Sequence, residues 1–213
     1  MIGLKALLVL HGDIMNLSLL QKVSKEVDMV VCGDGGADYC FKASIMPDMI
    51  IGDLDSISHD SLKIIYDKNI PVERYPAKKD ATDSELAIEF LINKNFKEII
   101  LMGAMGSRMD HTLSNIFLLK KLKDNGIDGK IIDEHNIIYL VDKELELSKD
   151  DAYISILSIT NSGTSVTLRG FEYELDKINI AFGSSYGISN RIAKDKAYIF
   201  VHRGTCLVFI SRD

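Results

Sequence analysis

Residues 29–56 read MVVCGDGGADYCFKASIMPDMIIGDLDS, and this stretch decides the fold. Two short apolar runs, 29–32 and 49–51, have the length of buried strands, and Gly-Asp follows each of them. The residues between them have room for one helix, so the two strands are expected to lie parallel in one sheet. Residues that follow such strands collect in a crevice at the carboxyl edge of the sheet, the usual ligand site of this architecture.

Units of the same kind extend this pattern on both sides. Asn16 is the predicted N-cap of a helix after the first strand, and Thr82 and Glu85 form a predicted capping box for a later helix. The sequence therefore predicts an amino-terminal α/β domain with a mostly parallel sheet over residues 1–135. Its other strands are predicted at residues 6–10, near Val72, at 98–102 and at 130–133.

Helical periodicity stops after about residue 134 and gives way to short strand-like runs separated by polar turns. Residues 136–213 are therefore expected to form an all-β domain. The charged stretch 142–151 fits either a linker or an edge strand, and its periodicity does not decide between them. The predicted strands of this domain cover residues 137–141, 153–159, 166–168, 197–201 and 206–210.

Composition narrows the functional classes. The 213 residues carry a formal net charge of −6, which argues against broad electrostatic binding to nucleic acid or to an anionic membrane. No apolar stretch approaches the roughly 18 to 20 residues of a membrane span, and the amino terminus lacks the pattern of a signal peptide, so a cytoplasmic location is expected. The three cysteines form no metal-binding pattern and are expected to be reduced and buried.

Aspartates cluster where the predicted strands end. Asp34 follows one strand, Asp53 and Asp55 follow the next, and Asp80 and Asp83 stand beside the capping box without being needed for it. Any one of them alone is as well explained as a helix cap or a turn residue. Together they repel one another and require protons, basic neighbours or a cation, and carboxylate ligands favour Mg²⁺ or Mn²⁺.

A glycine-containing segment, GAMGSRMDH at 103–111, joins a predicted strand to a predicted helix. Its glycines let the backbone approach a phosphate, the helix amino terminus offers N–H groups, and Arg108 offers a bidentate phosphate contact. The segment is neither a Walker A loop nor a GxGxxG fingerprint. The residues alone therefore point to metal-dependent chemistry on a phosphorylated ligand, with a non-catalytic fold as the alternative.

Four blocks of the sequence, in this order, resemble the conserved blocks of thiamine pyrophosphokinases. They are GDGGAD (33–38), PDMIIGDLDS (47–56), DATDSELA (80–87) and GSRMDHTLSN (106–115), and VTLRGFEYEL (166–175), GISN (187–190) and GTCLVFI (204–210) extend the similarity. The resemblance implies that a β-sandwich follows the α/β domain and that the protein is a homodimer. It also implies transfer of the pyrophosphoryl group from ATP to thiamine, with release of AMP.

The resemblance also assigns roles to the acidic residues. Asp53, Asp55 and Asp83 become the Mg²⁺ ligands, while Asp34 and Asp80 become candidates for a further ligand, a water-orienting group or a base. The glycine-containing segments would bind the nucleotide through Gly33, Gly35, Gly36, Gly103, Gly106, Ser107, Arg108, Asp110 and His111.

In the second domain, Ser189 and Asn190 match the Ser-Asn pair of the family and would face thiamine at the dimer interface. The sequence contains no Trp, so an aromatic wall for the thiamine rings has to come from Tyr or Phe, such as Tyr186.

Two other functions stay open. Some pterin pyrophosphokinases share blocks similar to GDLDS and DATD, so the acceptor is alternatively a hydroxymethyl dihydropterin. The second alternative is a catalytically silent sensor of thiamine or nucleotide, which is expected to lack one or more of the metal-binding aspartates; none is missing here.

Overall fold

A computed structural model describes residues 3–75 and 81–212. Contacts within the chain define two compact units, Met1–Glu134 and His135–Asp213. No helix in the described part of the chain is long and apolar enough to cross a membrane. The three cysteines are unpaired and buried, as predicted.

The first unit contains a six-stranded sheet in the order β4-β3-β2-β1-β5-β6, and all of its neighbouring strands are parallel. This confirms the predicted α/β class. The chain adds β2, β3 and β4 on one side of β1, and β5 and β6 on the other, so the strand order reverses beside β1. The strands are β1 (Lys5–Val9), β2 (Met29–Gly33), β3 (Met49–Gly52), β4 (Val72–Arg74), β5 (Glu98–Met102) and β6 (Asp128–Ile132).

In the described part of the chain, the helices between these strands are α1 (Leu17–Ser24), α2 (Gly36–Lys42), α3 (His59–Asp67), α4 (Asp83–Asn93) and α5 (Met109–Asp124). Asn16 caps α1, as predicted, by accepting a hydrogen bond from Leu19 N at 2.9 Å. Thr82 Oγ1 caps α4 through Glu85 N at 3.2 Å. The reciprocal bond of a capping box does not form, because the Glu85 carboxylate accepts a hydrogen bond from Lys121 Nζ of α5 instead.

Burial of the strands makes the sheet a rigid support for the loops at its edge. Side chains such as Leu7, Val9, Cys32 and Ile50 are fully buried between the sheet and its helices. Burying one large aliphatic side chain contributes about 1.5–3 kcal/mol, so the central strands are strongly fixed.

The second unit contains two antiparallel sheets, β7-β13-β9 and β11-β10-β12-β8. Its core combines side chains from both sheets, among them Ile154, Val208, Val166 and Ile199, which gives the predicted sandwich. The strands are β7 (Asn136–Val141), β8 (Glu144–Ser148), β9 (Tyr153–Ser158), β10 (Thr164–Arg169), β11 (Leu175–Ile180), β12 (Lys196–Arg203) and β13 (Cys206–Ser211).

Two strands of this unit bear on the sequence-based predictions: one decides an open alternative, and the other was not predicted. The charged stretch 142–151 contains β8, an edge strand paired with β12, and is not a plain linker. β11 was not predicted. Four of its six residues are exposed and Lys177 has a φ of 51°, so the strand lacks the alternation of buried and exposed side chains that identifies strands in a sequence.

Candidate active site

The loops after β1 and β5 lie side by side at the carboxyl edge of the parallel sheet. Gly12 N donates to Gly103 O at 2.7 Å, and Asp13 N donates to Met105 O at 2.7 Å. These bonds continue the β1–β5 pairing beyond the ends of the strands. The two loops meet where the strand order reverses, which is the expected position of a ligand crevice in this fold.

A cavity of about 540 Å³ opens at this edge. Most of the predicted site residues line it: Gly33, Asp34, Asp53, Asp83, Gly103, Gly106, Ser107, Arg108 and His111. The predicted residues Gly35, Gly36, Asp55 and Asp110 are not part of its lining. Asp80, predicted as a catalytic residue, lies outside the described residues.

The structure brings the predicted acidic residues together. Asp34, Asp53 and Asp55 each offer a carboxylate oxygen, and these oxygens lie within 4.8 Å of one another. Asp83 approaches the same group beside Gly52, which has a φ of 147°. A Cβ atom at Gly52 would lie 3.1 Å from Asp83 Oδ1 and 3.1 Å from Asp34 Cβ, so glycine leaves room for both residues.

Asp34, Asp53, Asp55 and Asp83 form an acidic cluster, and within it the negative charge of Asp34 is strongly destabilised. Its side chain is buried, and Oδ1 has no hydrogen-bond partner among the described residues. Burial raises the pKa of its carboxyl group, and the charges of Asp83, Asp55 and Asp53 raise it further, whereas the nearby Ser56 hydroxyl, which donates to Asp55 Oδ1 at 2.9 Å, opposes the shift. A cation would relieve this repulsion and supply the missing partner, and an all-oxygen ligand set suits Mg²⁺ or Mn²⁺.

Arg108 and Asp110 form an exposed ion pair at the start of α5. The guanidinium group donates to Asp110 Oδ2 at 2.6 Å, and this hydrogen bond lowers the pKa of Asp110 to about 2. In this arrangement Asp110 occupies the donors of Arg108 that were predicted to bind phosphate. The nucleotide contacts of both residues stay predictions.

Ser189 and Asn190 lie in the second unit. Asn190 is buried, and its Oδ1 accepts hydrogen bonds from Tyr173 N at 3.1 Å and Arg191 N at 2.9 Å. Its Nδ2 donates to Tyr173 O at 2.8 Å. The Asn190 amide thus fixes the backbone of Tyr173, whose side chain is 69% exposed. The thiamine contacts of Ser189 and Asn190 stay predictions.

Several cavity residues were missed by the sequence reasoning. His11 and Asp13 enter from the loop after β1, and Thr112 and Asn115 enter from α5. The His11 ring packs against Gly35, where Nδ1 would lie 2.4 Å from an added Cβ atom. The signal for the first two was present, because residues 11–13 place Gly-Asp after a strand in the same way as residues 33–34 and 52–53 do.

Comparison with known proteins gives concordant matches across both units. The family profile "Thiamin pyrophosphokinase, catalytic domain" matches residues 20–131, and "Thiamin pyrophosphokinase, vitamin B1 binding domain" matches residues 139–206. The chain is 32% identical over 183 residues to a thiamine pyrophosphokinase of Bacillus subtilis, covering 84% of this chain and 86% of that protein. It is 25% identical over 174 residues to thiamin pyrophosphokinase 1 of Caenorhabditis elegans, covering 76% and 69% of the two chains.

Solved structures agree with these matches. The crystal structure of thiamine pyrophosphokinase from Bacillus subtilis superposes with a TM-score of 0.88 at 28% identity, covering 98% of this chain and 99% of that one. The thiamin pyrophosphokinase structure from Geobacillus thermodenitrificans gives a TM-score of 0.87 at 26% identity, covering 99% and 98% of the two chains. The relatives named here carry thiamine and not a pterin in their names, so the comparisons do not support the pterin alternative.

Proposed function

The chain belongs to the thiamine pyrophosphokinase family, and we propose that it transfers the pyrophosphoryl group of ATP to the hydroxyl group of thiamine, giving thiamine diphosphate and AMP. The observation that carries this proposal is the convergence of Asp34, Asp53 and Asp83 with the loop 103–106 on one cavity. Carboxylates for a divalent cation and a glycine-containing loop for phosphates are the parts that such a transfer requires.

In this proposal Asp53, Asp55 and Asp83 hold Mg²⁺, which neutralises charge on the phosphates when it is bound. Asp34 has the buried, unpartnered oxygen of the cluster and serves as a further ligand or as the group that orients the thiamine hydroxyl. Displacement at the β-phosphorus depends mainly on positioning of the substrates and on neutralisation of phosphate charge. The reaction therefore requires no covalent intermediate with the protein.

The proposal divides the work between the two units. The first unit binds nucleotide and metal, and the second binds thiamine and forms the contact of a homodimer. A match of residues 139–206 to a vitamin B1 binding domain supports the thiamine role of the second unit. Tyr173, exposed and fixed by Asn190, is in this proposal the aromatic surface that replaces a tryptophan.

The proposed site of action is the cytoplasm, where thiols stay reduced. Cys32, Cys40 and Cys206 all have free thiols, and the Cys32 and Cys40 Sγ atoms, 3.4 Å apart, are hydrogen-bonded to each other and do not form a disulfide.

The proposed reaction is tested by measuring AMP release from ATP and Mg²⁺ with the purified protein. Thiamine, a hydroxymethyl dihydropterin and no acceptor are compared in parallel. We expect AMP only with thiamine. AMP formation that depends on the pterin would replace the proposed acceptor, and no AMP with either acceptor would favour a silent sensor.

A further inference from the structure

In the loop between β5 and α5, residues 103–108, the four consecutive peptide carbonyl groups of residues 103–106 are hydrogen-bonded within the protein. The loop after β1 supplies two of the donors, the N–H groups of Gly12 and Asp13. Helix α5 supplies the other two through buried side chains. Asn115 Nδ2 donates to Ala104 O at 2.8 Å, and Thr112 Oγ1 donates to Gly106 O at 3.2 Å.

These bonds orient the peptide planes of the loop. A trans peptide is planar, so the carbonyl of one residue and the N–H of the next point in opposite directions. None of the peptide bonds in the described residues is cis. The bond from Asn115 to Ala104 O therefore directs the N–H of Met105 away from α5, and the bond from Thr112 to Gly106 O directs the N–H of Ser107 away from it.

The N–H groups freed in this way are available for an anion. Within residues 3–75 and 81–212, neither Met105 N nor Ser107 N donates a hydrogen bond to another group. Both residues line the same cavity as Asp34, Asp53 and Asp83. A loop whose carbonyl oxygens are engaged and whose N–H groups are free presents partial positive charge, as phosphate-binding loops do.

We infer that Thr112 and Asn115 are positioning residues for nucleotide binding, an inference that rests on the proposed function. They hold the loop 103–106 so that the N–H groups of Met105 and Ser107, and not carbonyl oxygens, meet the phosphates. Thr112 is doubly bonded to the loop, because its Oγ1 also accepts from Gly106 N at 3.1 Å. Both side chains are 7% exposed, which keeps water from competing for these bonds.

The test uses near-isosteric variants of the full-length protein. Thr112→Val and Asn115→Leu remove the hydrogen bonds with little change in volume, and Thr112→Ser retains the hydroxyl group. Binding of ADP in the presence of Mg²⁺ is measured by calorimetry, and KM and kcat are measured for ATP and thiamine. We expect Thr112→Val and Asn115→Leu each to weaken ADP binding and raise the KM for ATP by about tenfold, equivalent to about 1.4 kcal/mol. Thr112→Ser should restore most of the affinity, and the KM for thiamine should not change.

A matched control separates positioning from a general loss of stability. Thr164 is fully buried in the second unit, and its hydroxyl contacts Ser158 Oγ at 2.7 Å and Thr205 O at 2.8 Å. Thr164→Val is therefore the same chemical change in a different setting, and it should lower the melting temperature without changing ADP affinity.

The inference is overturned if ADP binds equally well to folded Thr112→Val, folded Asn115→Leu and the unchanged protein. It is also overturned if Thr164→Val weakens ADP binding as much as Thr112→Val does, or if the unchanged protein does not bind ADP. Failure of the proposed reaction is distinguishable from failure of this inference, because the protein would then bind ADP but release no AMP in the presence of thiamine.

Discussion

Replacing Asp34 by Asn should stabilise the protein in the absence of divalent cations and should weaken its stabilisation by Mg²⁺. The Asp34 carboxylate is buried, lacks a partner for Oδ1 among the described residues and lies within 4.8 Å of two other carboxylates. Asn keeps the shape of the side chain, removes its negative charge and offers N–H donors to its neighbours. The substitution therefore relieves repulsion that a bound cation or protonation of Asp34 relieves in the unchanged protein.

The distance between the carboxylates sets the size of the effect. Two unit charges 4.8 Å apart repel by about 0.9 kcal/mol at the dielectric constant of water and by about 3.5 kcal/mol at an effective value of 20. Asp55 is exposed and Asp53 is half-buried, so screening keeps each of the two repulsions near the lower figure, and together they amount to about 2 kcal/mol. We expect a gain of about 1–3 kcal/mol, which is about 2–4 °C in melting temperature per kcal/mol for a chain of this size.

The pH dependence has a defined sign. Because the folded state raises the pKa of Asp34, ionisation of this group opposes folding. Without metal, its contribution to stability should fall as pH rises above the ordinary Asp value of about 3.9 and through the raised pKa. Asp34→Asn lacks this loss, so the difference in melting temperature between the two proteins should widen over that pH range.

The assay is thermal unfolding of both proteins in EDTA and in a titration of Mg²⁺. Asp60→Asn is the control, because Asp60 lies in the first turn of α3 and outside the acidic cluster. In EDTA, Asp34→Asn should melt at a higher temperature than the unchanged protein, and added Mg²⁺ should reduce or reverse the difference. A lower melting temperature for Asp34→Asn in EDTA, or an equal response of both proteins to Mg²⁺, would refute this reasoning.

Three further predictions concern activity and assembly. Asp53→Ala, Asp55→Ala and Asp83→Ala should each abolish turnover while leaving the fold intact, as judged by circular dichroism; near-normal turnover of any variant would exclude a metal role for that residue. Asn190→Ala should raise the KM for thiamine more than the KM for ATP, because Tyr173 loses the hydrogen bonds that fix its backbone, and the opposite order would contradict a role at the acceptor. Light scattering should give the mass of a dimer, whereas an active monomer at assay concentration would rule out a shared interface site.

Much of the fold is predictable because its central strands have a simple pattern. β2 and β3 are continuous apolar runs that end at glycine, and burial in a parallel sheet produces this pattern. β8 and β11 are edge strands with exposed polar side chains, so their pairing depends on neighbours distant in sequence. The pattern of apolar and polar residues within β8 or β11 therefore does not predict which strand it pairs with.

The site was predictable to the extent that its residues follow strands. Asp34 and Asp53 stand directly after buried strands, and the topology of a parallel sheet brings them together. Thr112 and Asn115 follow no such rule, because their role depends on hydrogen bonds to a loop that precedes their own helix. The position of Asn190 was likewise not predictable in full. The sequence suggests a ligand contact, whereas its hydrogen bonds to the backbone of Tyr173 are visible only in the structure.

Transfer of an intact pyrophosphoryl group is tested most directly by single turnover with ATP labelled at the β-phosphorus, in the presence of thiamine and Mg²⁺. We predict that the label appears in thiamine diphosphate, in an amount equal to the AMP formed and without ADP. Formation of ADP with thiamine monophosphate, or release of the label as free pyrophosphate, would contradict the proposed reaction.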